Sequence, residues 1–434
     1  MRSIAAVCLS LSAVVSVIPS SPRSPTADPT SSDWLQLLPD GTAKRQFIID
    51  CTGCHQFDVR MTRRFGRVRT ELEWREAVHR MLGFAGPESG FPVISAAQHP
   101  DSTAAWLAEA LSDRDPERRD PPADPRITEF RFPAPQDLPH DLAIDSAGRV
   151  VVTGMFTHAM YVLDPQSGNF TRVEIPVPQA NPRAVEIDRQ GRWWIVLGNP
   201  QQVARFDGVN WTTFNVGVYA HSVALDSSGG AWVNGHFTRQ PELLIGIDRE
   251  GHAERVVLPE HPVLGRKPGG PVPYELRTGP DGRIWMSELQ GNRMIVFDPA
   301  TRESRVYEMP TPASGPRRFD IAPDGTVWIP AYGAGSLVRL DPATGAFREF
   351  DLPVRDAAPY VARVDRSGAI WVGTGAADAL FRYDPVAGRF ETIPLPTRGA
   401  VVRHIAIDRQ NGDVWLAYGE SPGKAPARIA RFRR

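Results

Sequence analysis

The chain has 434 residues, with 49 Lys+Arg against 50 Asp+Glu and 78 Gly or Pro (37 and 41). A formal net charge of −1 excludes a general nucleic-acid binder, which needs a basic surplus. Three cysteines, Cys8, Cys51 and Cys54, are too few for a disulfide framework. The length implies two or three domains, or one large repeat domain.

The chain opens with Arg2 and an apolar run from Ile4 to Ile18, followed by Pro, Ser and Thr up to Ser32. This predicts a signal peptide over residues 1–27, cleaved between Ser20 and Ala27. The run is short for a membrane span, and an uncleaved anchor is the alternative. Cys8 leaves with the signal. No later stretch is long enough to span, so the mature chain is expected without a membrane span, in the periplasm or secreted.

The two remaining cysteines lie in Cys51-Thr52-Gly53-Cys54-His55. Cys-x-x-Cys-His is the c-type haem attachment signature. Two thiols three apart on a helical turn reach the two vinyl groups of one haem, and His55 ligates the iron. A dithiol pair lacks its βαβ context here, and a zinc site lacks a second pair of cysteines. Helices are predicted over 41–50, 70–82 and 103–111. Together they give a small all-α cytochrome c-type domain over residues 33–113 holding one covalent haem c. Met61, His79, Met81 and His99 are candidate sixth ligands. Met81 is favoured, because Trp74-Arg-Glu-Ala-Val-His-Arg-Met81 resembles a segment of c-type domains attached to periplasmic dehydrogenases. The arginines 60, 63, 64, 67 and 69 are a solvated face, partners for haem propionates, or a docking face for an acidic redox partner.

A charged, Pro-rich linker over residues 114–126 follows. Beyond it a turn glycine recurs at Gly148, Gly191, Gly229, Gly282, Gly325, Gly368 and Gly412, most often 43 residues apart. Three residues after each comes Val151, Trp194, Trp232, Trp285, Trp328, Trp371 and Trp415. Seven such units of four strands predict an all-β seven-bladed β-propeller over residues 127–434. Blade five is expected at 318–322, 326–330, 336–340 and 347–352. The last unit lacks its fourth strand, and residues 127–133 are expected to supply it.

Each blade's first strand begins on the channel side with His140, Arg183, His221, Tyr274, Arg317, Tyr360 or Arg403. These seven should converge on one mouth as a cationic ring suited to a small anionic organic ligand, or as a site that merely orders channel waters. Glu288 alone places an acid where a second strand returns to that mouth. Beside His221 and Tyr274 it would serve as a base or hold a cation.

The blades, with Pro280-Asp-Gly-Arg-Ile-Trp-Met-Ser-Glu288 and Asn292-Arg-Met-Ile, resemble those of the virginiamycin B lyase (streptogramin lyase) family. The resemblance covers Ile127 to Arg434 and implies a seven-bladed propeller. It also implies a catalytic set of Glu288, His221 and Tyr274 for a metal-assisted elimination that opens an ester ring. Tyr274 stands where the family has its second His, and Val272 where it has a Glu, so magnesium is not expected. The combined expectation is an exported haem protein carrying single electrons to or from a redox partner protein. The alternative is a lyase or lactone-opening enzyme with an accessory haem.

Overall fold

The seven repeat glycines all carry φ between 77° and 92°, a region closed to most side chains, which is why glycine recurs there. Four of the turns are fastened by an acid three residues earlier, Asp145, Asp188, Asp226 or Asp365: Asp188 Oδ1 accepts the Gln190 and Arg192 amides, and Asp188 Oδ2 accepts Trp194 Nε1 at 3.0 Å. Asp365 does the same for Trp371 Nε1. The computed structural model describes residues 28–111, 115–117, 121–237, 241–265, 270–420 and 426–434. The expected signal segment, residues 1–27, and part of the expected linker lie outside the described residues.

Each turn joins the first two strands of one of seven four-stranded antiparallel sheets. Blade four is typical, with strands Pro273–Thr278, Ile284–Glu288, Arg293–Phe297 and Ser304–Glu308. The repeat tryptophans are buried on the second strands and pack between blades. Trp285, for example, shares a core with Phe319, Val327 and Ile329 of blade five. The seventh sheet is completed by Ile127–Arg131, which pairs with Arg428–Phe432 from Ile127↔Phe432 to Arg131↔Arg428.

Blade five departs from the expected pattern. Its inner strand is only Asp320–Ile321, not residues 318–322. Arg318 instead bridges to blade six: its amide donates to Tyr360 O and its carbonyl accepts from the Ala362 amide. A backbone that satisfies its neighbour cannot also satisfy its own sheet.

The N-terminal segment forms five short helices: α1 (Ser31–Leu35), α2 (Thr42–Cys51), α3 (Val59–Thr62), α4 (Glu71–Ala85) and α5 (Pro100–Ala110). Thr30 and Thr70 close capping boxes on α1 and α4, and Pro100 opens α5. A self-contained cytochrome domain was expected, but the helices present no clear cytochrome fold. Their core of Trp34, Leu35, Phe47, Phe57, Trp74 and Leu107 is continuous with Val272, Tyr274, Leu289, Tyr332, Tyr360 and Val401 of the propeller. No helix among the described residues is long and apolar enough to cross a membrane.

Candidate functional site

The ring residues sit where the inner strands lose regular pairing. The register shifts around His140, Arg183, Tyr274, Tyr360 and Arg403. In blades three and five, His221 and Arg317 precede strands that start at Val223 and Asp320. A bulge re-aims a side chain off the sheet face, here toward the channel. All seven are buried, none more than 5% exposed.

The structure brings them together. Arg403 Nη1 donates to Tyr360 Oη at 3.1 Å, Tyr360 and Tyr274 share a 2.5 Å hydrogen bond, and Arg317 Nη1 donates to Tyr274 Oη at 3.2 Å. The Tyr274 ring lies 4.3 Å from His221, which meets His140 at 5.2 Å. His140 Nδ1 donates to Arg183 O, and His221 Nδ1 to Tyr274 O. Burial holds both imidazoles well below their ordinary pKa, so they are neutral.

The charge of this layer is unbalanced. Among the described residues, none of Arg183, Arg317 and Arg403 has a carboxylate partner. Arg183 Nε bonds Asn181 Oδ1, and the Arg317 guanidinium lies 3.8 Å from the Tyr332 ring centroid and 4.4 Å from that of Tyr360. The next groups along the inner strands are balanced. Arg318 pairs with Asp141 at 3.1 Å, Arg363 with Glu275 at 2.8 Å and Arg277 with Glu186 at 2.9 Å, across the channel. Buried guanidinium groups without counter-charge cost several kcal/mol each, so the mouth layer is the one built for something else.

What lies on the mouth is the Cys-x-x-Cys-His loop. Arg403 donates to Gly53 O at 2.5 Å and to Cys54 O at 2.7 Å. Tyr332 Oη donates to Thr52 O at 2.9 Å. The Gln56 amide donates to Glu420, which also takes both Nη atoms of Arg60. Lys44 reaches Asp356 at 2.6 Å, and the Ser32 amide donates to Ala376 O. The ring is therefore covered by the chain's own loop rather than open to solvent.

The loop and its surroundings are suited to a covalent haem. Cys51 ends α2, half-buried, and Cys54 is exposed. His55 Nδ1 donates to Gln56 O at 3.1 Å, which leaves Nε2 as the nitrogen that would ligate a haem iron. Beneath lies an aromatic core in which Phe47 meets Phe57 and Trp106 edge-on, and Phe57 stacks on Trp74. Trp34 Nε1 and Trp74 Nε1 are buried there without an acceptor among the described residues, a shortage that the carboxylates of a bound haem could fill. Met81 is half-buried on α4 and outside the core cluster, which takes in Met61 instead. His79 and His99 are exposed, and His99 caps α5.

Glu288 pairs with Pro273, next to Tyr274, but among the described residues no hydrogen bond joins it to Tyr274 or His221. It stands opposite Arg293 in the hairpin and is bound by it, Nε to Oε2 at 2.6 Å and Nη2 to Oε1 at 3.1 Å. Burial and the adjacent Glu242 push its carboxyl well up, against the pull of Arg293. A carboxyl held this way is engaged by its hairpin partner rather than free to act on a ligand. Sequence reading missed His236, Tyr332 and Glu420. His236 stacks on His221, and Tyr332 holds Thr52. Both occupy one repeat position, seven residues past the turn glycine, so their signal was present. Glu420 carried none.

The fold and mouth thus define a seven-bladed β-propeller with a motif-bearing loop seated on its channel. More particularly, the propeller is virginiamycin B lyase-like: the model of the virginiamycin B lyase family matches residues 256–430. A streptogramin B lyase structure is 20% identical, covering 70% of this chain and 96% of its own, with a TM-score of 0.62. Virginiamycin B lyase from Staphylococcus aureus is 18% identical, with 70% and 98% covered and the same TM-score. Kuenenia stuttgartiensis hydrazine synthase is 14% identical, with 70% and 97% covered and a TM-score of 0.54. At these identities the likeness concerns the fold. No curated protein sequence matches the chain.

Proposed function

We propose that the chain is an exported c-type haem protein, periplasmic or secreted, that carries single electrons between redox partner proteins. The propeller is the seat of its haem-bearing loop. The observation that carries this reading is Cys51-Thr52-Gly53-Cys54-His55 itself, with Nδ1 of His55 engaged and two indole N–H groups left for an acceptor. A bound haem c supplies a one-electron iron couple. Cys51 and Cys54 would hold it covalently, His55 would be its proximal ligand, and Met81 is the proposed sixth. A reactive dithiol is less well supported, because burial, then Asp50 and Cys54, push the Cys51 thiol well up, the opposite of activation. Residues 52–56 cover the ring, so its arginines serve the loop, and a small anionic ligand would have to share that mouth.

The test is a reduced-minus-oxidised spectrum of the purified full chain, made in a host that attaches haem c. A c-type α-band that survives acid–acetone extraction in wild type, and disappears in Cys51→Ala/Cys54→Ala, is expected. A wild-type chain without haem overturns the reading. An unchanged spectrum in Met81→Ala overturns only that ligand.

The second reading is a metal-assisted lyase or lactone-opening enzyme, favoured by the family match over Tyr274 and Glu288. The engagement of Glu288 by Arg293 weighs against it. Turnover of a cyclic ester that is abolished in Glu288→Gln and indifferent to haem would establish it instead.

A further inference from the structure

Two of the mouth arginines touch or crowd the Cys-x-x-Cys-His loop, and among the described residues neither has an acid to neutralise it. Arg403 is held by Gly53 O, Cys54 O and Tyr360 Oη, all neutral acceptors. Arg317 has Tyr274 Oη and the faces of three tyrosines, and a Cβ placed on Gly53 would lie 2.5 Å from its Nη2. Both are 3% exposed, and each keeps a buried Nε without a partner. The contrast with the paired arginines deeper in the channel shows that this fold does supply carboxylates where charge needs cancelling. Among the described residues it supplies none to Arg317 or Arg403.

Resting on the haem reading, we propose that Arg317 and Arg403 form a cationic seat that raises the reduction potential of a haem carried on Cys51 and Cys54. The reasoning is electrostatic. Reduction adds one negative charge to the iron centre. Two fixed positive charges beside the attachment loop, shielded from water, favour the state with that extra electron. Coulomb energy falls off slowly in a poorly screened interior, so the effect does not require the guanidinium groups to touch the cofactor. The propeller is then more than a support: its mouth sets how readily the carrier accepts an electron.

The test is spectroelectrochemical titration of the full haem-loaded chain. Arg403→Gln and Arg317→Gln should each move the midpoint to lower potential, and the pair together further. Arg403→Lys and Arg317→Lys, which keep the charge, should stay near wild type, whereas a purely geometric role would let Lys fall as far as Gln. Gly53→Ala keeps both arginines but pushes Arg317 away, and it should lower the potential by a smaller amount; it remains informative where a Gln variant does not fold. An unmoved or raised midpoint in the Gln variants or Gly53→Ala overturns the proposal, as does a Lys variant that falls with Gln. Wild type with no haem overturns the reading beneath it, and is distinguished by the missing absorption band.

Discussion

Tyr360 sits between two arginines and against a second phenol. Burial pushes its acidity up, but Arg403, then Arg317 and Arg318, pull it down, to about 8. Tyr274, the partner across the 2.5 Å hydrogen bond, is pushed upward, chiefly by burial. Tyr360 is therefore the phenol of the pair that ionises first. The folded value lies below the unfolded tyrosine value of about 10. Between these two the unfolded chain binds more protons, so stability rises with pH across that window. The gain is lost as pH falls through about 8. An ultraviolet titration should show one of the eight tyrosines ionising near pH 8. Tyr360→Phe should remove that step, and its persistence would refute the assignment.

At the scale of the element, closure depends on five residues far from the sheet they finish. Ile127 is buried against Val361, Leu380, Ile393 and Phe432. Ile127→Ala should cost about 2–5 kcal/mol in denaturant unfolding, a large loss for a strand that also seals the ring. This closure was legible, because Ile127-Thr-Glu-Phe-Arg-Phe-Pro133 repeats the fourth-strand pattern of blade five. The turn glycines and tryptophans were legible for the same reason: one steric demand recurs seven times. The inner strand of blade five was not, since its residues pair with blade six and no local pattern records that. The partner of Glu288 was not legible from its repeat position alone. Its hairpin partner Arg293 is five residues on, and strand pairing sets the two side by side.

Across the whole molecule, the helical segment and the propeller share one core and several buried polar links, so they should unfold together. A single transition followed by both far-ultraviolet circular dichroism and tryptophan fluorescence is expected, and two resolved transitions would contradict the shared core. Glu420 is the strongest of these links, buried and gripped by Arg60 and the Gln56 amide. Glu420→Gln should destabilise by on the order of 3 kcal/mol by weakening a buried ion pair. The cationic ring itself could be read from the repeat, and its convergence is real. Its covering could not, because contacts between residues 52–60 and 317–420 leave no mark in the local sequence.

The closing strand carries a consequence for assembly. Residues 51–55 leave the ribosome long before Arg317, Tyr332, Arg403 and Glu420, and the ring cannot be completed until Arg428–Phe432 has paired with Ile127–Arg131. The cysteines therefore pass through a period when nothing rests against them, and that period ends when the last sheet forms. Any enzyme that modifies them has its widest access then. The propeller acts on this timetable as a latch that shuts once, from the far end of the chain.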